Sequence, residues 1–276
     1  MSGKKSLKIK ERQLKGRVAV VTGADGGIGL EFCKCLAGLG MQLVMVSNRE
    51  RELADAASMI ASEYDVDTLA LTQDLRCGEA PRRILEAMKE RGLEPYVLIN
   101  NAGIFSFDYV TETPEGKIDA FVDLHVRSVT HMSRLFAAEM ARLGGGYILN
   151  MSSMSCWMPM PGLAMYASTK AYIRAFTRAL HYEMRESGVA VMAACPGGIA
   201  TDLFGLPANL QRLAVRLGVL ERPGDFVRKA VKRLIRGKAQ YINGLLNRIS
   251  IVAVGSTPRC VRMLVKHKLL DAGIRK

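Results

Sequence analysis

Residues 18–29, Val18-Ala19-Val20-Val21-Thr22-Gly23-Ala24-Asp25-Gly26-Gly27-Ile28-Gly29, decide the fold. The valine-rich start lies between Gly16 and Gly23 and reads as a strand buried on both faces. After the glycines, Ile28, Phe32, Leu36 and Leu39 recur at helical spacing as far as Gly40, predicting a helix over 27–39. A strand that turns through glycines into a helix is a place to hold a dinucleotide. Gly23 can take a backbone conformation costly for other residues. A side chain at Gly27 would keep the backbone off a pyrophosphate, and Gly29 lets the helix pack closely. The helix N-terminus, with Asp25 and Ile28 beside it, then faces the phosphates.

The same alternation runs outward from this turn. Strands are predicted at 43–46, 68–71, 96–99, 147–151 and 189–194, with a last short one at 239–243. Helices are predicted at 50–63, 79–91, 115–143 and 164–187. Strands separated by helices imply right-handed βαβ crossovers. The expected class is α/β: a single Rossmann-like doubly wound parallel sheet with helices on both faces, followed by a helical C-terminal extension. The expected divisions are a basic tail at 1–15, a dinucleotide-binding domain at 16–243 with a lid at 202–225, and a basic amphipathic extension at 244–276.

Composition removes several function classes. The 276 residues are 49% hydrophobic and 24% charged, enough for a large core and too balanced for wholesale disorder. The net charge of +13 is uneven: residues 1–17 carry +6, residues 18–204 carry −6 and residues 205–276 carry +13. An acidic body with 6% aromatics argues against nucleic acid as a partner. The six cysteines and four histidines have no metal-ligand spacing. The N-terminus lacks the apolar stretch of a signal peptide, and no run is long enough to span a bilayer. The expectation is a reduced, cytoplasmic protein with free thiols packed as small apolar groups.

The tip of the second strand reads Ser47-Asn48-Arg49, with no acid to bond a ribose 2′-hydroxyl. Arg49 can pair with a 2′-phosphate and Ser47 and Asn48 can bond it, which favours NADP(H) over NAD(H). Asp25 opposes a doubly charged phosphate nearby, and a solvated loop is the plain alternative. Asp74 and Leu75 make either an adenine edge or a helix cap. Further along, Tyr166 and Lys170 stand one helical turn apart on one face. An ammonium lowers a phenol's pKa, so Tyr166 is expected to give or take a proton. Ser153 follows a strand, where its hydroxyl can hold a carbonyl oxygen.

Four motifs together make the chain resemble the short-chain dehydrogenase/reductase (SDR) family over about residues 16–204. They are Thr22–Gly29, Asn100-Asn101-Ala102-Gly103, Ser153 with Tyr166-x-x-x-Lys170, and Pro196-Gly197 followed by Thr201. The resemblance implies an oxidoreductase that moves a hydride between a nicotinamide and a carbonyl or carbinol carbon. Tyr166 would be the acid or base, Lys170 would lower its pKa and bond the nicotinamide ribose, and Ser153 would orient the substrate oxygen. Asn101, Ala102 and Gly103 would line the cofactor channel, and Pro196, Gly197, Ile199 and Thr201 the nicotinamide end. The family usually has Asn 28 residues before the serine, supporting a relay water; here that position is His125. An imidazole can carry the relay and titrate near neutral pH, or be a core histidine bonded to backbone. A homodimer or homotetramer is also implied.

Phe105, Phe107, Trp157, Met158, Met160, Leu203 and Phe204 suggest apolar walls for a hydrophobic ketone or secondary alcohol, whether acyl, steroid or another lipid. The extension combines Val261, Leu264 and Val265 with Arg262, Lys266 and Lys268. It packs on the domain, packs on a second subunit, or lies on the inner membrane face as a peripheral contact. A non-catalytic dinucleotide sensor or scaffold is the alternative to an enzyme.

Overall fold

A computed structural model describes residues 13–199, 215 and 220–270. Among these, seven strands form one parallel sheet: β1 (Val18–Thr22), β2 (Gln42–Ser47), β3 (Thr68–Thr72), β4 (Pro95–Asn100), β5 (Gly146–Met151), β6 (Val189–Ala194) and β7 (Gln240–Tyr241), in the order β3-β2-β1-β4-β5-β6-β7. The order reverses between β1 and β4, so a crevice opens beyond their carboxyl ends, where open α/β sheets take ligands.

Helices cover both faces. On one side α1 (Gly27–Ala37), α2 (Glu50–Tyr64) and α7 (Pro223–Ile235) pack Phe32, Leu53 and Phe226 onto Ala19 and Val21 of β1. On the other, α3 (Ala80–Lys89), α5 (Val129–Arg142) and α6 (Ala164–Glu183) pack Ile84, Phe136 and Leu180 onto Val18 and Val20. Alternate side chains of one apolar strand thus feed two cores, which is why β1 shows no polar face.

The helix expected at 115–143 is not uniform. It runs as α4 (Glu115–Val122), a wide π-helical turn (Asp123–Ser128) and then α5. The widened turn drops His125 into the interior, fully buried. Such insertions recur at functional sites. Beneath the crevice, the Asn100 amide donates to Asn150 Oδ1 at 2.7 Å, and Asn150 Nδ2 donates to Thr177 Oγ1 at 2.9 Å. This buried polar network ties β4 and β5 to the helix that carries Tyr166.

The chain beyond β7 begins by packing on the domain. In α8 (Leu245–Gly255), Asn247 Nδ2 donates to the Asn243 carbonyl at 2.9 Å and Ser250 Oγ contacts Met154 Sδ at 3.7 Å. After Pro258, α9 (Arg259–Val265) leaves Val261, Met263 and Leu264 exposed. No helix among the described residues is long and apolar enough to cross a membrane. The N-terminal tail up to residue 12 and most of the expected lid lie outside the described residues.

Candidate active site

A cavity of about 620 Å³ occupies the crevice between β1 and β4 and extends toward β5 and β6. Gly23, Asp25, Gly27 and Ile28 border it at one end, with Ser47, Asn48, Arg49, Asp74 and Leu75. Asn101, Ala102 and Gly103 form its middle, and Ser153, Tyr166, Lys170, Pro196, Gly197 and Ile199 its far end. Gly29 and His125 stand behind this lining, and Thr201, Leu203 and Phe204 lie outside the described residues. Sequence reasoning missed Gln73, Arg76, Ala120, Leu124 and Ser152 among the lining residues. Arg76 had a signal, standing two residues after Asp74; Ala120 and Leu124 come from a helix whose path toward the crevice depends on the wide turn.

The glycine turn is clamped from β4. Thr22 Oγ1 donates to the Ile99 carbonyl at 3.3 Å and accepts from the backbone N–H of Asn101 and of Ala102, each at 3.0 Å. Asn101 Nδ2 returns a bond to the Thr22 carbonyl at 3.0 Å. Gly27 has φ 53° and nothing within 4 Å of where a Cβ would stand, so α1 opens onto the cavity with no side chain in the way. That bare helix start and the length of the cavity fit a dinucleotide pyrophosphate.

At the end of the cavity beside β2, acids already hold the arginines. The Arg49 guanidinium bonds the Asp25 carboxylate, whose side chain is only 7% exposed, and sits 3.7 Å from Glu52. The opposition to a phosphate expected of Asp25 is therefore offset by its pairing with Arg49. Ser47 Oγ accepts from the Arg49 N–H at 3.2 Å, fixing the approach of that arginine. Asp74 accepts from the Arg76 N–H at 2.9 Å and from its guanidinium at 2.6 Å, which holds the carboxyl below its usual pKa. It thus lines the cavity while spanning its own turn.

At the far end of the cavity, α6 presents Tyr166 and Lys170, both buried. Ser153 bonds the Tyr166 phenol, and Ser153 Oγ also accepts from the Ser155 N–H at 3.1 Å. Phe105 meets the Tyr166 ring edge-on with centroids 5.0 Å apart. Lys170 Nζ donates to the Met151 carbonyl at 2.9 Å and lies 5.7 Å from the centre of the Tyr166 ring. Here the expectation of an acidified phenol is corrected: burial raises the Tyr166 pKa, and the pull downward comes from Ser153. Burial also lowers Lys170 to about 8, so its charge is itself easily lost.

His125 is bonded at both ring nitrogens. Nε2 accepts from the Ile104 backbone N–H at 3.1 Å, so the proton of the neutral ring resides on Nδ1, 3.0 Å from Thr169 Oγ1. Burial, reinforced by Lys170, lowers its pKa well below the ordinary value, which overturns titration near neutral pH. A Cβ on Gly103 would come 2.9 Å from His125 Nε2, so the loop at 101–104 is pressed against the imidazole and tied through it to α6.

Of the expected apolar walls, Trp157 stacks under the Arg174 guanidinium at 4.3 Å, while Phe107, Met158 and Met160 are half-buried and outside the cavity lining. Asn243, which sequence reasoning missed, accepts from the Gly197 N–H at 2.7 Å through Oδ1 and donates to Glu221 Oε2 at 2.8 Å. Its separation of 46 residues from Gly197 left no local signal.

Comparison with known proteins agrees with this arrangement. A family model described as short chain dehydrogenase matches residues 17–207. The rat very-long-chain 3-oxoacyl-CoA reductase is 31% identical over 223 residues, 79% of this chain and 68% of that protein. The human inactive hydroxysteroid dehydrogenase-like protein 1 is 34% identical over 197 residues, 70% of this chain and 59% of that protein. The chain thus spans about three fifths of that relative. An L-sorbose reductase from Gluconobacter frateurii, solved with NADPH and L-sorbose, superposes with a TM-score of 0.75 at 24% identity, covering 83% of this chain and 95% of that one. At that identity the likeness is one of fold.

Proposed function

This chain belongs to the short-chain dehydrogenase family, and from that premise we propose that it is an NADP(H)-dependent reductase of a hydrophobic ketone, with a 3-oxoacyl thioester or a steroid as the leading substrate classes. The observation that carries the reading is one cavity joining the glycine cradle to Ser153, Tyr166 and Lys170. The cofactor supplies the hydride. Ser153 and Tyr166 stand side by side in the cavity wall, where a carbonyl oxygen can accept from both hydroxyls. Tyr166, kept protonated by burial, donates its proton to that oxygen as it gains charge. Lys170, as an ammonium, stabilises the phenolate left behind. Asn101, Ala102 and Gly103, clamped by Thr22 and His125, hold the middle of the dinucleotide, and Asn243 holds the Gly197 loop at its nicotinamide end.

A 2′-phosphate at Arg49 would share the guanidinium with Asp25. Removing the arginine leaves a nearly buried carboxylate facing that phosphate. Arg49→Ala is therefore expected to weaken NADPH by about tenfold or more and NADH by far less, read by titration of reduced-cofactor fluorescence. Equal losses for both would refute the 2′-phosphate role.

The second reading is a dinucleotide-binding sensor, favoured by the relatives that carry the word inactive in their names. The side chains for proton transfer are all present here, which supports the enzyme. A carbonyl panel with NADPH separates the two readings.

We also propose that the C-terminal helices rest on an anionic membrane surface. Between Asp225 and Asp271 the chain has eleven Lys and Arg and no acid, and Ile249, Val261, Met263 and Leu264 are exposed there. The full chain should sediment with phosphatidylserine vesicles at low salt and be released at high salt. Equal recovery in the supernatant with and without vesicles would refute this contact.

A further inference from the structure

The two loops that bound the reacting end are joined side by side. Ser152 N–H donates to the Ala194 carbonyl at 2.8 Å, and Met154 N–H donates to the Pro196 carbonyl at 2.7 Å. Each loop contributes a cysteine at this seam. Cys156 lies in the short turn Met154–Trp157, half-buried, and Cys195 follows β6, buried. The two side chains lie close enough to influence each other's ionisation, and Ser152, whose hydroxyl donates to the Lys170 carbonyl at 2.6 Å, stands beside both. The Arg174 guanidinium, stacked on Trp157, adds positive charge beside them. These contacts favour the thiolate at Cys156 and the thiol at Cys195. A partly exposed, cation-flanked thiolate beside a second thiol is the arrangement of a reactive and a resolving cysteine.

We propose that Cys156 is a peroxide-reactive thiol that closes a reversible disulfide to Cys195, displacing the turn that positions Ser153. The Cys156 thiolate attacks one oxygen of hydrogen peroxide. An S–O bond forms, the O–O bond breaks and hydroxide leaves, giving a sulfenic acid. The Cys195 sulfur then attacks Cys156 Sγ. The S–S bond forms, the S–O bond breaks, and the sulfenic oxygen leaves with the Cys195 proton as water. Two thiols are oxidised and one peroxide is reduced to two waters. Closing these neighbouring thiols to a bond of about 2 Å draws the Cys156 turn toward Cys195. That turn is fastened to Ser153 by the Cys156 N–H to Ser153 carbonyl bond at 3.2 Å and the Ser155 N–H to Ser153 Oγ bond. The serine hydroxyl therefore moves with it.

The effect on turnover rests on the reductase reading; the covalent link does not. The full chain is treated with hydrogen peroxide, digested without reductant and mapped by mass spectrometry. The expected product is a peptide pair joined through Cys156 and Cys195 with the loss of two hydrogens. Turnover is expected to fall at least about tenfold and to return with dithiothreitol. In Cys195→Ser the sulfenic acid at Cys156 should persist and be trapped by dimedone. Peroxide that leaves both thiols free, or that carries Cys156 to a sulfinic acid without a link in the unaltered chain, overturns the proposal. A chain that cross-links but reduces no carbonyl would refute the reductase reading alone.

Discussion

Tyr166→Phe is expected to lower turnover by about a thousandfold or more while NADPH binding stays within a few fold. The substitution removes one oxygen and keeps the ring. Phe105 still meets that ring at its edge, and the neighbouring His125 ring, 6.2 Å away between centroids, is undisturbed. Lys170 keeps its bond to the Met151 carbonyl, so the cofactor end of the site is not reorganised. What disappears is the hydroxyl that can both bond a carbonyl oxygen beside Ser153 and be stabilised as an anion by Lys170. Ser153 alone can orient the oxygen, but its alkoxide is far too basic to replace the phenolate. Steady-state kinetics with the best substrate of the panel, paired with NADPH titration, measure both parts. A turnover loss below about tenfold would remove the phenol from the chemistry.

Gly29→Ala is expected to be the most damaging single-methyl change in the cradle. A Cβ there would stand 1.8 Å from the Gly23 carbonyl oxygen and 2.7 Å from Asn101 Nδ2. The first neighbour is backbone and cannot rotate aside, and the second is part of the Thr22–Asn101 clamp. Relief requires α1 to back away from the turn, which breaks the contact that aims the helix start at the cavity. A loss of about 4 kcal/mol, or a fall of roughly 10 °C in Tm, is expected together with loss of NADPH binding. Gly27→Ala makes the contrast. It meets nothing within 4 Å but keeps φ 53°, so the cost is about 1–2 kcal/mol of backbone strain while pyrophosphate access is still obstructed. Thermal melts of the two variants, each with and without NADPH, separate steric collapse from a blocked cradle. Matching melts would contradict this account.

The parts of the molecule legible in the sequence are those whose cause is local. β1, the glycine turn and α1 follow from a valine run, three glycines and a helical apolar period. Tyr166 and Lys170 share a face because they are four residues apart on one helix. What escaped the sequence is set by residues distant in the chain. The neutralisation of Asp25 by Arg49 spans 24 residues, and the bond of Lys170 to the Met151 carbonyl depends on how α6 lies against β5. The state of the phenol could not be read because it depends on burial, which outweighs the pull of Ser153. His125 was recognised by its distance from Ser153. Its bonding required the wide turn at 123–128, which no apolar period announces. The extension left several placements open because its pattern suits more than one surface; Asn247 and Ser250 show that α8 meets the domain.

The central claim is that this site reduces a carbonyl, with Tyr166 supplying the proton. The most direct measurement incubates the protein with NADPH deuterated at the transferring position and a panel of hydrophobic ketones, 3-oxoacyl thioesters and steroids, followed by mass spectrometry of the products. The account predicts at least one secondary alcohol carrying deuterium on the carbinol carbon, formed by the unaltered chain and absent with Tyr166→Phe. Saturable NADPH binding with no deuterated alcohol from any member of the panel, or equal labelling by the Tyr166→Phe protein, would contradict it.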